Sequence, residues 1–104
     1  DYLCYIIHRQ ISMRGFMNDT ETVIILKALA DINRLKIVKM LSTEEEMCGC
    51  RIHEAFDFSQ PTLSHHMKVL CDAGIVKDVQ GGKWHHYSVN KEKMEELINV
   101  LRLY

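Results

Sequence analysis

Ser59 to Val76 reads SQPTLSHHMKVLCDAGIV and marks both ends of a helix in its own letters. Ser59 is a capping residue, able to accept a hydrogen bond from a free N–H of the first turn. Pro61 falls in that turn, where a missing N–H costs little. Gly74 stands where a left-handed residue ends a helix, and Ile75 follows as the apolar closing contact. Leu63, Met67 and Leu70 recur at i, i+4 and i+7 and predict one buried stripe. At about 100° per residue, Pro61, Ser64, His65, Lys68 and Asp72 point roughly the other way. Gln60, Thr62, Ser64 and His65, with His66 as a further candidate, are side chains of the kind that read base edges, and Lys68 can reach a phosphate. A polar helix face is usually just solvated, so the pattern alone supports an amphipathic surface helix and no more.

The flanking segments give that helix a context. Upstream, Cys48, Ile52, Ala55 and Phe56 at i, i+4, i+7 and i+8 predict a short helix, and Asp57-Phe58 makes the tight turn out of it. Two helices joined this closely form a helix-turn-helix, the second being the reader. Downstream, Val76 to Val79 and Lys83 to Val89 alternate like strands around Gln80-Gly81-Gly82, and a Gly-Gly pair between alternating runs signals a hairpin. A hairpin directly after a helix-turn-helix reads as a wing, with Lys83 near its tip available to the DNA backbone or minor groove. Thr20 to Ala30 predicts a helix capped by Thr20, with Ile25, Leu26 and Leu29 on its apolar side. Asp31-Ile32-Asn33 predicts a break and a new cap. Arg34 to Leu41 then predicts a helix burying Leu35, Val38 and Leu41, followed by an acidic loop over Ser42 to Glu46. Lys91 to Tyr104 closes the chain with a helix whose stripe is Met94, Leu97, Ile98, Leu101 and Tyr104. The expected fold class is mainly α with a small β-hairpin wing, in the order α-α-α-α-β-β-α.

Three of these stretches together carry a family resemblance. SQPTLSHHMKVLCDAGIV is similar to the recognition helix of ArsR/SmtB-family winged-helix repressors, LKALADINRLKIVKML at Leu26–Leu41 to the two helices before it, and GGKWHHYSV at Gly81–Val89 to the wing. The likeness runs from about Asp19 to the end, in order, spacing and residue type. It implies a homodimeric repressor that binds an inverted-repeat DNA operator and leaves it when an inducer binds. It also implies that the last helix contributes to the dimer interface, and that Lys68 and Lys83 contact phosphates while Gln60, Thr62, Ser64, His65 and His66 supply base readout.

Glu46-Met47-Cys48-Gly49-Cys50-Arg51-Ile52 resembles the Glu-Leu-Cys-Val-Cys-Asp-Leu segment of family members that sense arsenic, antimony, cadmium and lead. Thiolates are soft ligands and select thiophilic ions, so the implied inducers are arsenite or antimonite first, then cadmium, lead or zinc. On a regular helix, residues i and i+2 do not face each other. Sharing one ion therefore requires a local backbone that is not helical, and Gly49 is expected to ease that distortion. Ion binding would then deform the start of the short helix and mis-set the reader. In the arsenic sensors a third cysteine follows the pair by three residues, whereas this chain has His53 there. Cys4 and His53 are candidate third ligands, and Cys71 is another, although a lone Cys on the flank of the reader helix is more often a small buried hydrophobe. A mixed sulfur–nitrogen set would favour zinc or cadmium over arsenic. The family's other common site, built from histidines and carboxylates of the last helix, is not expected, because Lys91 to Tyr104 contains no histidine.

Composition agrees with one regulatory domain. The chain has 104 residues, enough for a single core that dimerisation would reinforce. No apolar run approaches the ~20 residues of a membrane span, and four cysteines without a secretory signal predict reduced thiols in the cytoplasm. The net charge of −1 does not advertise nucleic-acid binding by itself. Charge is uneven, however. Glu44, Glu45, Glu46, Glu54 and Asp57 face only Arg51 in one segment, while Lys68, Lys77 and Lys83 outweigh Asp72 and Asp78 in the next. This predicts a local DNA contact with a modest salt slope. Residues 1–18 form a separate extension with two readings. Tyr2, Leu3, Tyr5, Ile6, Ile7 and Ile11 are apolar enough for a helix that packs on a dimer partner; alternatively part of the stretch is foreign to the native protein, whose start would be Met13 or Met17. Residues 19–104 form the DNA-binding and dimerisation domain. No nucleophile–base pair, phosphate loop or cofactor fingerprint points to an enzyme. The competing readings are a repressor whose cysteines form a redox switch, and a winged helix used for protein contacts with a structural metal.

Overall fold

The computed structural model describes residues 17–81 and 83–102. Its elements are α1 (Asp19–Leu29), α2 (Ile32–Ser42), β1 (Met47–Cys48), α3 (Gly49–Glu54), α4 (Gln60–Asp72), β2 (Val76–Gly81), β3 (Trp84–Val89) and α5 (Lys91–Arg102). This is a winged helix-turn-helix. α4 packs against α1, α2 and β2, which holds it across the body of the domain. Ile25, Ile37, Leu41, Ile52, Leu70 and Ile75 are its most deeply buried large side chains. The Met17 side chain joins the core, while residues 1–16, Cys4 among them, lie outside the described residues.

Helix ends follow side-chain chemistry. α1 is capped by Asn18, not Thr20: the Glu21 N–H donates to Asn18 Oδ1 at 2.8 Å, and Asn18 Nδ2 donates back to Glu21 Oε1 at 3.1 Å. This reciprocal arrangement needs a carboxylate three residues after the cap. Asn18 has one in Glu21, whereas Thr20 would have Val23. Asp31 caps α2 as expected, accepting from the N–H groups of Asn33 and Arg34 at 2.8 and 3.1 Å. Ser59 caps α4, accepting from the Thr62 N–H at 3.3 Å, and Gly74 ends it with φ +83°.

Two predicted stripes are rotated. In α2 the buried residues are Ile37, Val38 and Leu41, and Leu35 is 45% exposed. Leu35 lies more than a quarter turn from the centre of that stripe at about 100° per residue. In α5, Leu97 and Val100 are buried and Met94 packs partly against the core, but Ile98 and Leu101 face outward.

The hairpin forms in the predicted place, with Val76 opposite Val89 and Gly81 opposite Trp84. It is not alone. Met47 and Cys48, just past the expected loop and where the short helix was expected to begin, pair with Tyr87 and His86 and make a third strand, so the sheet order is β1-β3-β2. The thiol segment is thereby stitched to the wing by backbone hydrogen bonds.

Candidate DNA-reading face and thiol groove

The outer face of α4 carries the predicted reading residues in the open. Gln60, Thr62, Ser64, His65 and Lys68 are all exposed, as is Lys83 beside the wing tip. Thr62 is partly engaged, its hydroxyl lying 3.0 Å from Ser59 Oγ. Lys68 pairs with Asp72 one turn on, at 3.1 Å. His66 departs from expectation. It is 7% exposed and turned inward, with Nδ1 3.2 Å from the Arg34 guanidinium. It stands one position after His65, about 100° further round the helix, and that rotation carries it from the reading face to the body.

Cys48 and Cys50 are brought together without bending a helix. Cys48 is a strand residue and the cap of α3, with φ −66° and ψ 140°, so only Cys50 is helical. The Cys50 N–H donates to Cys48 Sγ at 3.3 Å. Hydrogen bonding from the Cys50 thiol, then from the N–H groups of Cys50 and Arg51, holds the Cys48 thiol below its ordinary pKa, and Cys50, as the donor, is correspondingly raised. Cys48 thus stands outside the helix without any distortion of α3. Gly49 serves a different purpose from the one expected. Among the described residues the positive φ belongs to Gly74, and a Cβ on Gly49 would meet Tyr87 Cε2 at 3.2 Å. The missing side chain makes room for the Tyr87 ring.

The thiols open onto a groove of about 780 Å³ whose other walls are the reader and the wing. Gln60, Ser64 and Lys68 line it from α4, and Asp78, Lys83, His85 and Tyr87 from the hairpin. On that wing wall His85 Nδ1 lies 2.9 Å from Asp78 Oδ2, and the His85 ring stacks on Tyr87 with centroids 6.0 Å apart. Burial, then the nearby Asp78 and the two thiols Cys71 and Cys48, push the Tyr87 hydroxyl up to about 12. His86 turns instead to Glu46, at 3.2 Å, and ties β3 to the segment before β1. Sequence reasoning missed Asp78, His85 and Tyr87. The i, i+2 spacing of His85 and Tyr87 in an alternating strand was the available signal.

The third-ligand candidates fare differently. His53 Nε2 is 2.8 Å from the Phe58 carbonyl, so it donates there and braces the turn into α4. Cys71 lines the same groove, but burial, helped by Asp78 and Asp72, pushes its thiol up to about 11. Among the described residues no three Cys, His, Asp or Glu side chains are grouped closely enough to hold a metal ion.

Residues 31–78, from the cap of α2 into β2, match the model of the bacterial regulatory proteins of the arsR family. An arsenical resistance operon repressor of Staphylococcus aureus is 42% identical over 87 residues, covering 84% of this chain and 83% of that protein. This chain belongs to the ArsR family. A cadmium resistance transcriptional regulatory protein CadC homolog of Staphylococcus aureus is 36% identical over 81 residues, covering 78% of this chain and 67% of that protein. The crystal structure of an ArsR family transcriptional regulator superposes with a TM-score of 0.76 at 22% identity, covering 84% of this chain and 89% of that one, a likeness of fold. As an ArsR-family protein the chain is a DNA-binding transcriptional repressor, not an enzyme. No described helix is long and apolar enough to cross a membrane.

Proposed function

We propose that this ArsR-family repressor works in the cytoplasm as a homodimer on an inverted-repeat operator of a resistance operon, and that a thiophilic ion bound through Cys48 and Cys50 releases it. Arsenite or antimonite is the leading inducer, with cadmium, lead and zinc next. The observation that carries this reading is the shared groove: the preorganised thiol pair, the reader residues Gln60, Ser64 and Lys68, and the wing residue Lys83 line one space. Soft thiolates supply the selectivity for such ions. The names of the arsenical and cadmium resistance relatives support the same class of inducer.

The residues account for both states of the switch. In the DNA-bound state Gln60, Thr62, Ser64 and His65 read base edges, and Lys68 and Lys83 hold phosphates. In the induced state Cys48 and Cys50 hold the ion. Cys48 is paired to His86 of the wing and leads into α3, so a shift of Cys48 moves wing and helix-turn-helix together. Coupling of about 1–3 kcal/mol is typical of such linkage. The third donor comes from residues 1–16, where Cys4 lies, or from His53 once it gives up Phe58. The outward Ile98 and Leu101 of α5 support a dimer face on that helix.

The test is a titration of the reduced protein on its own promoter fragment with arsenite, antimonite, cadmium, lead and zinc, read by fluorescence anisotropy. Release by arsenite that disappears in Cys48→Ser/Cys50→Ser is the expected result. Tight specific binding that no ion relieves would overturn the inducer assignment, and release by peroxide alone would move the pair to redox sensing.

A further inference from the structure

His66 belongs to the reader helix but not to its reading face. Arginine has no acceptor, so the Arg34 guanidinium donates across the 3.2 Å contact and Nδ1 is the unprotonated ring nitrogen of His66. Arg34 is committed elsewhere too. Its Nε donates to the Ala28 carbonyl in the last turn of α1 at 2.7 Å, and Nη1 stands 4.0 Å from Oδ2 of Asp31, the cap of α2. One side chain, 15% exposed, therefore ties the end of α1 and the start of α2 to the middle of α4. The Phe58 ring, from the turn before α4, packs tilted on His66 with centroids 5.3 Å apart.

We propose that His66 and Arg34 form the latch that seats the reader helix for operator binding, and that the latch holds only while His66 is neutral. His66 acts as a positioning residue: it touches no DNA and sets the orientation of Gln60, Thr62, Ser64 and His65. A proton on Nδ1 removes the lone pair that faces Arg34 and brings two cations within hydrogen-bond distance. Among the described residues, the charged and titratable groups around His66 are Asp31, Arg34 and His65. Burial opposes a charge on His66 most strongly, Asp31 favours it, and Arg34 and His65 oppose it, so the imidazole is held below the usual histidine range. The latch rests on the reading of α4 as the operator-reading helix.

The experiment measures promoter affinity by anisotropy from about pH 8 to about pH 5.5 for the wild type, His66→Gln, His66→Leu and Arg34→Met, with circular dichroism at each pH to establish that each protein is folded. Glutamine offers Arg34 an oxygen and does not titrate. At about pH 8 the Gln protein should bind within about twofold of wild type and the Leu protein about tenfold more weakly. Toward about pH 5.5 the wild type should lose roughly threefold or more relative to the Gln protein, as histidine charges. The other histidines charge in every variant, so the ratio isolates His66. Arg34→Met removes the cation and should flatten the same profile. Parallel wild-type and Gln profiles overturn the latch, as does an effect confined to melting temperature. No specific promoter binding by the wild type at any pH overturns instead the operator-reading function beneath it.

Discussion

At Lys68 the proposed phosphate contact has a competitor within α4 itself. The ammonium is shared with the Asp72 carboxylate at 3.1 Å, both side chains being largely exposed. In the proposed DNA contact, a phosphate takes the place of that carboxylate. Lys68→Ala should therefore weaken operator and random DNA alike and lower the slope of log affinity against log salt by about 1. Asp72→Asn should act oppositely, raising affinity about twofold at low salt, since exposed pairs of this spacing are weak. Fluorescence anisotropy across a salt series checks both, and an unchanged slope in Lys68→Ala would remove Lys68 from the phosphate contacts. His65→Ala should change base preference at one position per half-site, visible in a binding-site selection, because His65 is exposed on the same helix from which His66 is withdrawn.

Among the elements, α2 and α4 stand or fall with their ends. Asp31 accepts two N–H bonds, the one from Arg34 being the larger cause of its lowered pKa, with the Asn33 bond and the Arg34 charge adding to it and burial opposing. A carboxyl whose folded pKa is depressed adds stability that is present above its unfolded value, near 3.8, and is lost as pH falls through the folded value. Asp31→Ala should cost about 1 kcal/mol at neutral pH and should shrink the acid-dependent part of the melting curve; thermal melts at several pH values read both. Gly74 ends α4 at φ +83°, where any Cβ is strained, so Gly74→Ala should cost about 1–2 kcal/mol. Its effect should fall on α4 and the hairpin equally, because Asn90 Nδ2 donates to the Gly74 carbonyl at 3.0 Å and joins the end of the wing to the end of the reader.

Across the whole molecule, the apolar residues divide into a core and an outward set. Ile52 has no exposed surface and anchors the short α3 to the body, so Ile52→Ala should cost about 2–5 kcal/mol and loosen the thiol segment with it. Ile98 and Leu101 are 43% and 46% exposed on the same helix that buries Leu97 and Val100. Ile98→Glu/Leu101→Glu should leave the melting of the isolated fold nearly unchanged yet shift the proposed dimer toward monomer, measured by light scattering. A dimer that survives both charges would assign its interface to another surface.

What the chain wrote locally was readable without a fold. The cap at Ser59, the stop at Gly74, the Leu63–Met67–Leu70 stripe and the hairpin are signals contained within a few residues, since helix ends and tight turns are decided by nearby hydrogen bonds and φ angles. The Asn18 cap was equally local, in the Glu21 that stands three residues on. The rest required distant partners. Only pairing with β3 draws Met47 and Cys48 into a strand and leaves Cys48 outside the helix, which is why the two sulfur-bearing residues meet at a spacing that a helix forbids. Only the packing of α4 on α2 separates His65 from His66, two identical neighbours of which one faces solvent and the other Arg34, thirty-two residues away in sequence. A side chain's type is set by the sequence, but its burial is set by what the rest of the chain presses against it.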